Sequence, residues 1–176
     1  RQTVGVIGAG YWGANVIRTY SQIENCNLKY VCDADAARRK FVQDSYEDVK
    51  VVEDIDVVLN DPEVSAVTVV TTVPTHFDIA SRALRAGKHV YVEKPLTDSS
   101  KDAATLVELA ESVQKKLLVG HLFLYHPAVI KVKSLIDSGA IGVIYCIHAK
   151  RMNPGPPNSA VNVVWDLAPH DLSIID

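Results

Sequence analysis

The chain has 176 residues, 48% of them apolar and 22% charged, and carries a net charge of −3. That length and apolar content suit one globular domain, or one domain and part of a second, and exclude a disordered chain. Mild acidity without a basic stripe argues against a nucleic-acid partner, no apolar run reaches the roughly 18 residues of a membrane span, and the N-terminus lacks a signal-peptide pattern.

Strand-like and helix-like segments alternate along the first two thirds. "TVGVIG" (3–8) is a β-branched run ending in glycine, followed by a helical pattern over 12–22. "LKYVCD" (28–33) reads as a second strand, with a helix over 34–44. "VKVV" (49–52) is a short third strand, and "DIDVVLNDP" a brief helix stopped by Pro62. "AVTVVTT" (66–72) is a continuous apolar run, as expected of a strand covered on both faces. A helix over 75–86 with Gly87 as its C-terminal cap follows, then the strand "HVYVE" (89–93), a helix over 98–116 and a sixth strand over 117–121. Such alternation implies βαβ crossovers and a doubly wound, mostly parallel α/β sheet of Rossmann type.

After residue 121 the rhythm changes. A helix is expected over 126–138, a long strand over 143–152, then the Pro/Gly/Asn-rich "NPGPPNSA" and a final helix. The domain boundary is therefore placed at 121, with 1–121 as the nucleotide-binding domain. A lone strand over 143–152 would have unpaired edges, so it is expected to pair with another chain or to be poorly ordered.

The glycines of "GAGYWG", Gly8, Gly10 and Gly13, have GxGxxG spacing, follow a strand and open a helix. In that context the first permits a tight turn, the second lets main chain approach a pyrophosphate, and the third lets helix pack on strand. The helix start adds free N–H groups and a positive dipole end for phosphates. Asp33 ends the second strand, 20 residues beyond Gly13, where a carboxylate accepts hydrogen bonds from an adenosine ribose and repels a 2′-phosphate. NAD is therefore favoured over NADP. Arg38 and Arg39 lie nearby but further into the following helix.

"YVEKPLT" puts Glu93 and Lys94 at the C-terminal end of the fifth strand, the edge at which open α/β sheets bind ligands. A lysine there can donate to a ribose or substrate hydroxyl. "TTVPTH" ends the fourth strand likewise, with Thr72 and Pro74 as candidates to line the cofactor and His76 either joining them or sitting in the next helix's first turn. Near the chain's end, Asp166 and His170 are four apart and share a helix face. A histidine of near-neutral pKa suits proton removal from an alcohol. The alternative is Asp166 as a helix cap and His170 as a surface residue.

Taken together, GxGxWG, the acidic end of the second strand, "AGKHVYVEKPL", "GH" at 120–121 and "DLAPHD" resemble the glucose–fructose oxidoreductase/inositol dehydrogenase (Gfo/Idh/MocA) family over essentially the whole chain. That resemblance implies a nicotinamide-dependent oxidoreductase acting on a ring hydroxyl of a sugar or nucleotide sugar. It implies Lys94 contacting cofactor and substrate, Asp166 binding substrate, His170 as acid/base, and a cis Lys94–Pro95 bond. The expected cofactor set is Gly8, Gly10, Tyr11, Trp12, Gly13, Asp33, Thr72, Pro74, His76, Glu93, Lys94 and His121. Arg151 and Asn153 are weaker candidates to meet an anionic substrate.

Family members are longer, so 122–176 reads as the incomplete start of an α+β domain for substrate binding and homo-oligomer formation, and the chain as a fragment or natural truncate. The competing functions are a non-catalytic NAD-binding module and a reductase of a non-sugar substrate on the same fold. Three widely spaced cysteines, Cys26, Cys32 and Cys146, without CxxC or metal spacing, suggest a reducing compartment, and a cytoplasmic location and no metal are expected.

Overall fold

The computed structural model describes residues 1–152 and 161–176, which form two compact units, Arg1–Gly120 and His121–Asp176. The first unit is built on six parallel strands: β1 (Gln2–Ile7), β2 (Cys26–Cys32), β3 (Lys50–Val52), β4 (Ala66–Val69), β5 (His89–Val92) and β6 (Leu117–Val119). Their spatial order is β3-β2-β1-β4-β5-β6, and every neighbouring pair is parallel. The connections carry α1 (Tyr11–Gln22), α2 (Ala36–Ser45), α3 (Ile55–Leu59), α4 (Val73–Arg85) and α5 (Ser100–Ser112).

Two apolar clusters account for the double winding. One joins Val4, Val6, Leu28 and Val31 of the sheet to Ile17 of α1 and Val42 of α2. The other joins Ile7, Val67, Val69, Val90 and Val92 to Val58 of α3, Ala80 and Leu84 of α4, and Leu106 of α5. Strands buried on both faces explain why β4 reads as an unbroken apolar run. Each buried Leu or Ile stabilises by roughly 1.5–3 kcal/mol, so the sheet's position is set by many such contributions.

Helix ends follow local chemistry. Gly87, with φ +76°, closes α4 through Gly87 N–H to the Leu84 carbonyl and Lys88 N–H to the Ala83 carbonyl. The helix expected to reach 116 stops at Ser112, because Gln114 turns to φ +54° and Lys115 N–H returns to the Ala110 carbonyl. Periodicity alone does not register such a stop, since the apolar spacing continues past it.

The second unit holds a 3-10 helix (Leu122–Tyr125), α6 (Pro127–Asp137) and α7 (Val163–Ile175). The strand expected over 143–152 is not there: 143–150 are exposed and carry no regular element. An apolar β-branched run becomes a strand only when a neighbour supplies its ladder, and no other strand exists among the described residues of this unit. Asn153 and the Pro/Gly loop lie outside the described residues.

Candidate functional site

The switch in strand order lies between β1 and β4, where connections leave the sheet in opposite directions. The glycine turn sits there. Gly8 has φ +105°, and a Cβ on it would lie 2.5 Å from the Val70 carbonyl oxygen, so only glycine lets the turn pass β4. A Cβ at Gly13 would overlap the Gly8 carbonyl, which holds α1 close beneath the turn. Above Gly10 such a Cβ would meet the Arg38 guanidinium, at 3.6 Å from Nη1.

The helix N-termini differ in a way that bears on ligand binding. Side chains of Asp35, Asp54, Ser99, His126 and Asn162 cap α2, α3, α5, α6 and α7. The two helices that start beside the switch point, α1 behind Gly10 and α4 behind Thr72, have no side-chain cap bond. The first N–H groups of α1 are thereby left for other acceptors, whereas in α4 Pro74 has no N–H and the Thr75 N–H goes to the Thr72 carbonyl. The open approach to Gly10, the uncapped α1 and the glycine cradle fit the pyrophosphate of a dinucleotide.

Asp33 is buried at the end of β2. Its Oδ2 accepts from Ala9 N–H at 2.6 Å and its Oδ1 from Asp35 N–H at 2.8 Å, so the carboxylate also shapes the glycine turn. Arg38 Nη1 lies 3.7 Å from Oδ2. Arg39 turns away to the Asp33 and Ala34 carbonyls and Glu53. Sequence position therefore undervalues Arg38, which α2 brings back over the turn.

At the ends of β4 and β5, Thr72 and Pro74 form the start of α4, two residues earlier than periodicity suggests. His76 is 1% exposed, and its Nδ1 and Nε2 face the Pro95 and Thr71 carbonyls at 3.0 and 3.1 Å. The ring can donate to either carbonyl and lies between the two loops, so its place is behind the site. Glu93 is buried; its Oε1 accepts from Trp12 Nε1–H at 2.9 Å and Tyr91 O–H at 2.7 Å. Lys94 is half-buried and the Lys94–Pro95 bond is cis. Thus Gly8, Gly10, Tyr11, Trp12, Gly13, Asp33, Thr72, Pro74, Glu93 and Lys94 all lie along one edge of the first unit.

In the second unit, α7 carries both Asp166 and His170. Asn162 caps this helix through bonds from Val164 and Trp165 N–H, so Asp166 is not the cap but a first-turn residue, half-buried. His170 is 8% exposed rather than on the surface. Its ring meets the edge of Phe123 at 4.9 Å. Arg151 covers Phe123 at 5.0 Å and grips Asp171 through two 2.9 Å contacts, so its charge is already paired within this unit. Pro169, inside α7, cannot donate to the Trp165 carbonyl. His121 opens this unit half-buried, and its buried Nδ1 has no hydrogen-bond partner among the described residues.

Sequence reasoning missed Tyr91, which donates to Glu93, and Asn162, which caps α7. Tyr91 is legible in principle, because residues two apart on a strand share a face and Tyr91 precedes Glu93 by two. Among the described residues no cluster of His, Cys, Asp or Glu is arranged to hold a metal, and no helix is long and apolar enough to cross a membrane.

Comparison with known proteins agrees with this geometry. The chain is 30% identical over 176 residues to an inositol 2-dehydrogenase of Acidothermus cellulolyticus, covering 98% of this chain and 52% of that protein. It is 32% identical over 171 residues to a UDP-N-acetylglucosamine 3-dehydrogenase of Acidithiobacillus ferrooxidans, covering 97% and 52%. Among solved structures it superimposes, with a TM-score of 0.74 and 30% identity over 81% of this chain and 44% of the other, on a 3-ketoreductase from Actinomadura kijaniata in complex with TDP-benzene and NADP. The chain thus spans about half the length of the relatives it matches. Residues 2–121 match the Gfo/Idh/MocA model, an oxidoreductase family with an NAD-binding Rossmann fold, and the chain belongs to that family.

Proposed function

We propose that this chain binds NAD, in preference to NADP, and serves a dehydrogenase that acts on a ring hydroxyl of a sugar or nucleotide sugar. The observation that carries this reading is the shared edge: an uncapped glycine turn, a buried Asp33 and Lys94 all at the C-terminal end of one parallel sheet. Asp33 supports NAD because a carboxylate at the end of the second strand of such a fold suits the adenosine ribose and disfavours a 2′-phosphate. When bound, the nicotinamide ring exchanges a hydride with the substrate carbon.

The chain's own residues handle the rest. Lys94 donates a hydrogen bond to the reacting hydroxyl and orients it. His170 takes the hydroxyl proton as the C=O bond forms, and returns it in the reverse direction. Asp166 binds a neighbouring hydroxyl. Gly8, Gly10, Tyr11 and Gly13 hold the pyrophosphate side, with Trp12, Thr72, Pro74, Glu93 and His121 along the remainder and His76 behind them. Residues 1–121 form the nucleotide-binding domain in this reading. Residues 122–176 begin the domain for substrate and homo-oligomer contacts, in a cytoplasmic protein.

The test is a panel of inositols, free sugars and nucleotide sugars with NAD and with NADP, following reduced-cofactor absorbance. Turnover of a cyclic polyol or nucleotide sugar with NAD is expected. Activity with NADP alone would overturn the role given to Asp33. Binding without turnover on every hydroxylated substrate would favour a cofactor-binding module or a non-sugar reductase.

A further inference from the structure

Trp12 lies in the first turn of α1, behind β1, whereas Glu93 follows β5, and β4 stands between those strands in the sheet. The 2.9 Å bond from the Trp12 indole N–H to Glu93 therefore reaches across the end of β4, over the switch-point crevice itself. Glu93 is itself held in place, since Tyr91 O–H donates to the same oxygen at 2.7 Å and the other oxygen faces the Lys94 N–H at 3.3 Å. Gly120 leaves the room. A Cβ there would lie 2.5 Å from the Tyr91 hydroxyl and 3.0 Å from each Glu93 oxygen.

The direction of that reach decides its purpose. Asp33 fixes the adenosine side at β2, and the pyrophosphate sits at the start of α1. The other half of a dinucleotide must then cross towards β4 and β5, where Lys94 lies. An indole that starts at the pyrophosphate turn and ends at the residue before Lys94 lies along that path. Its N–H is committed to a carboxylate, which fixes the ring plane, while 43% of the residue stays exposed. The geometry points to Trp12 as the surface on which the nicotinamide half rests, with Glu93, braced by Tyr91, as the positioning residue that sets the indole's angle and, through the Lys94 main chain, its register with the reacting group.

This inference rests on the cofactor reading above, and the ligand pair NADH and ADP-ribose separates the two. ADP-ribose has the adenosine, the pyrophosphate and a second ribose but lacks the nicotinamide ring. Calorimetric titration of the intact chain is expected to show Trp12→Phe weakening NADH by about 10-fold and Glu93→Gln by about 3-fold, the scale expected for loss or weakening of one charge-assisted hydrogen bond. ADP-ribose affinity should stay within about 2-fold in both, which also shows that the variants fold. The double variant should lose about as much as Trp12→Phe alone, because both changes remove one interaction. Equal weakening of NADH and ADP-ribose would reduce the pair to a support of the glycine turn and overturn the proposal, as would unchanged NADH affinity. Wild-type chain that binds neither ligand would overturn the cofactor reading and this inference with it.

Discussion

In Gly8→Ala two separate costs coincide. The backbone at Gly8 has φ +105°, which an L-residue adopts at roughly 1–2 kcal/mol. The new methyl would also stand 2.5 Å from the Val70 carbonyl oxygen and 2.7 Å from its carbon. Both are main-chain atoms at the end of a parallel ladder, so neither can rotate aside, and overpacking of this kind costs about 1–3 kcal/mol. Together they take about 2–5 kcal/mol from a unit whose whole stability is expected to be of order 5–15 kcal/mol. The corresponding fall in Tm is roughly 8–20 °C.

Gly87→Ala is the matched control. Its φ of +76° carries the same conformational cost, but the nearest atom to the new methyl is Lys115 Cε at 3.9 Å. It should lose only about 4–8 °C. Any gain from stiffening the unfolded chain, about 0.4–1 kcal/mol, is common to both and cancels in the comparison. Thermal melts followed by circular dichroism, with NADH titrations on the folded fraction, measure both effects. Gly8→Ala should also lose cofactor affinity, and Gly87→Ala should keep it. A Gly8→Ala variant that melts no lower than Gly87→Ala would refute the close main-chain approach as the source of the cost.

Three further outcomes are expected. His170→Ala should lower turnover by about 10²–10⁴-fold with NADH affinity unchanged, and an unaltered rate would remove the acid/base role. Thiol titration of the native chain should find Cys146 fast, since it is exposed, and Cys26 and Cys32 slow, since burial raises both thiol pKa values and lifts that of Cys32 to about 11; three equally fast thiols would contradict the packing of β2. Asp61 accepts from Lys29, which holds its carboxyl down at about 2, while Lys29 is raised by Asp61 and then Glu63. A depressed carboxyl stabilises the folded state fully above its unfolded pKa of about 4, and that stabilisation fades as the pH falls through about 2. Asp61→Asn should accordingly lower stability at neutral pH and flatten the acid limb between those values; identical acid melts would exclude the pairing.

Local patterns announce much of this protein. The βα alternation, the glycine turn before α1, the acidic end of β2 and the Gly87 cap depend on neighbours a few residues apart, so they are legible one segment at a time. The end of α5 is not, because a left-handed Gln114 interrupts a spacing that the apolar residues themselves continue. The run over 143–152 misleads for a deeper reason: a strand is a relation between two segments, and composition describes only one.

The site divides along the same line. By itself the sequence determined which chemical groups are present and, through their order along βα units, that Gly8, Asp33 and Lys94 belong to one sheet edge. Tertiary structure alone decided what each group is free to do. It turned His76 inward onto two carbonyls, brought Arg38 over Gly10, engaged both oxygens of Asp33 with main-chain N–H groups, and joined Trp12 to Glu93 across β4. Those partnerships span up to 81 residues of chain, and a hydrogen bond at 2.9 Å is set by where the packed sheet places its ends, not by the distance between two letters.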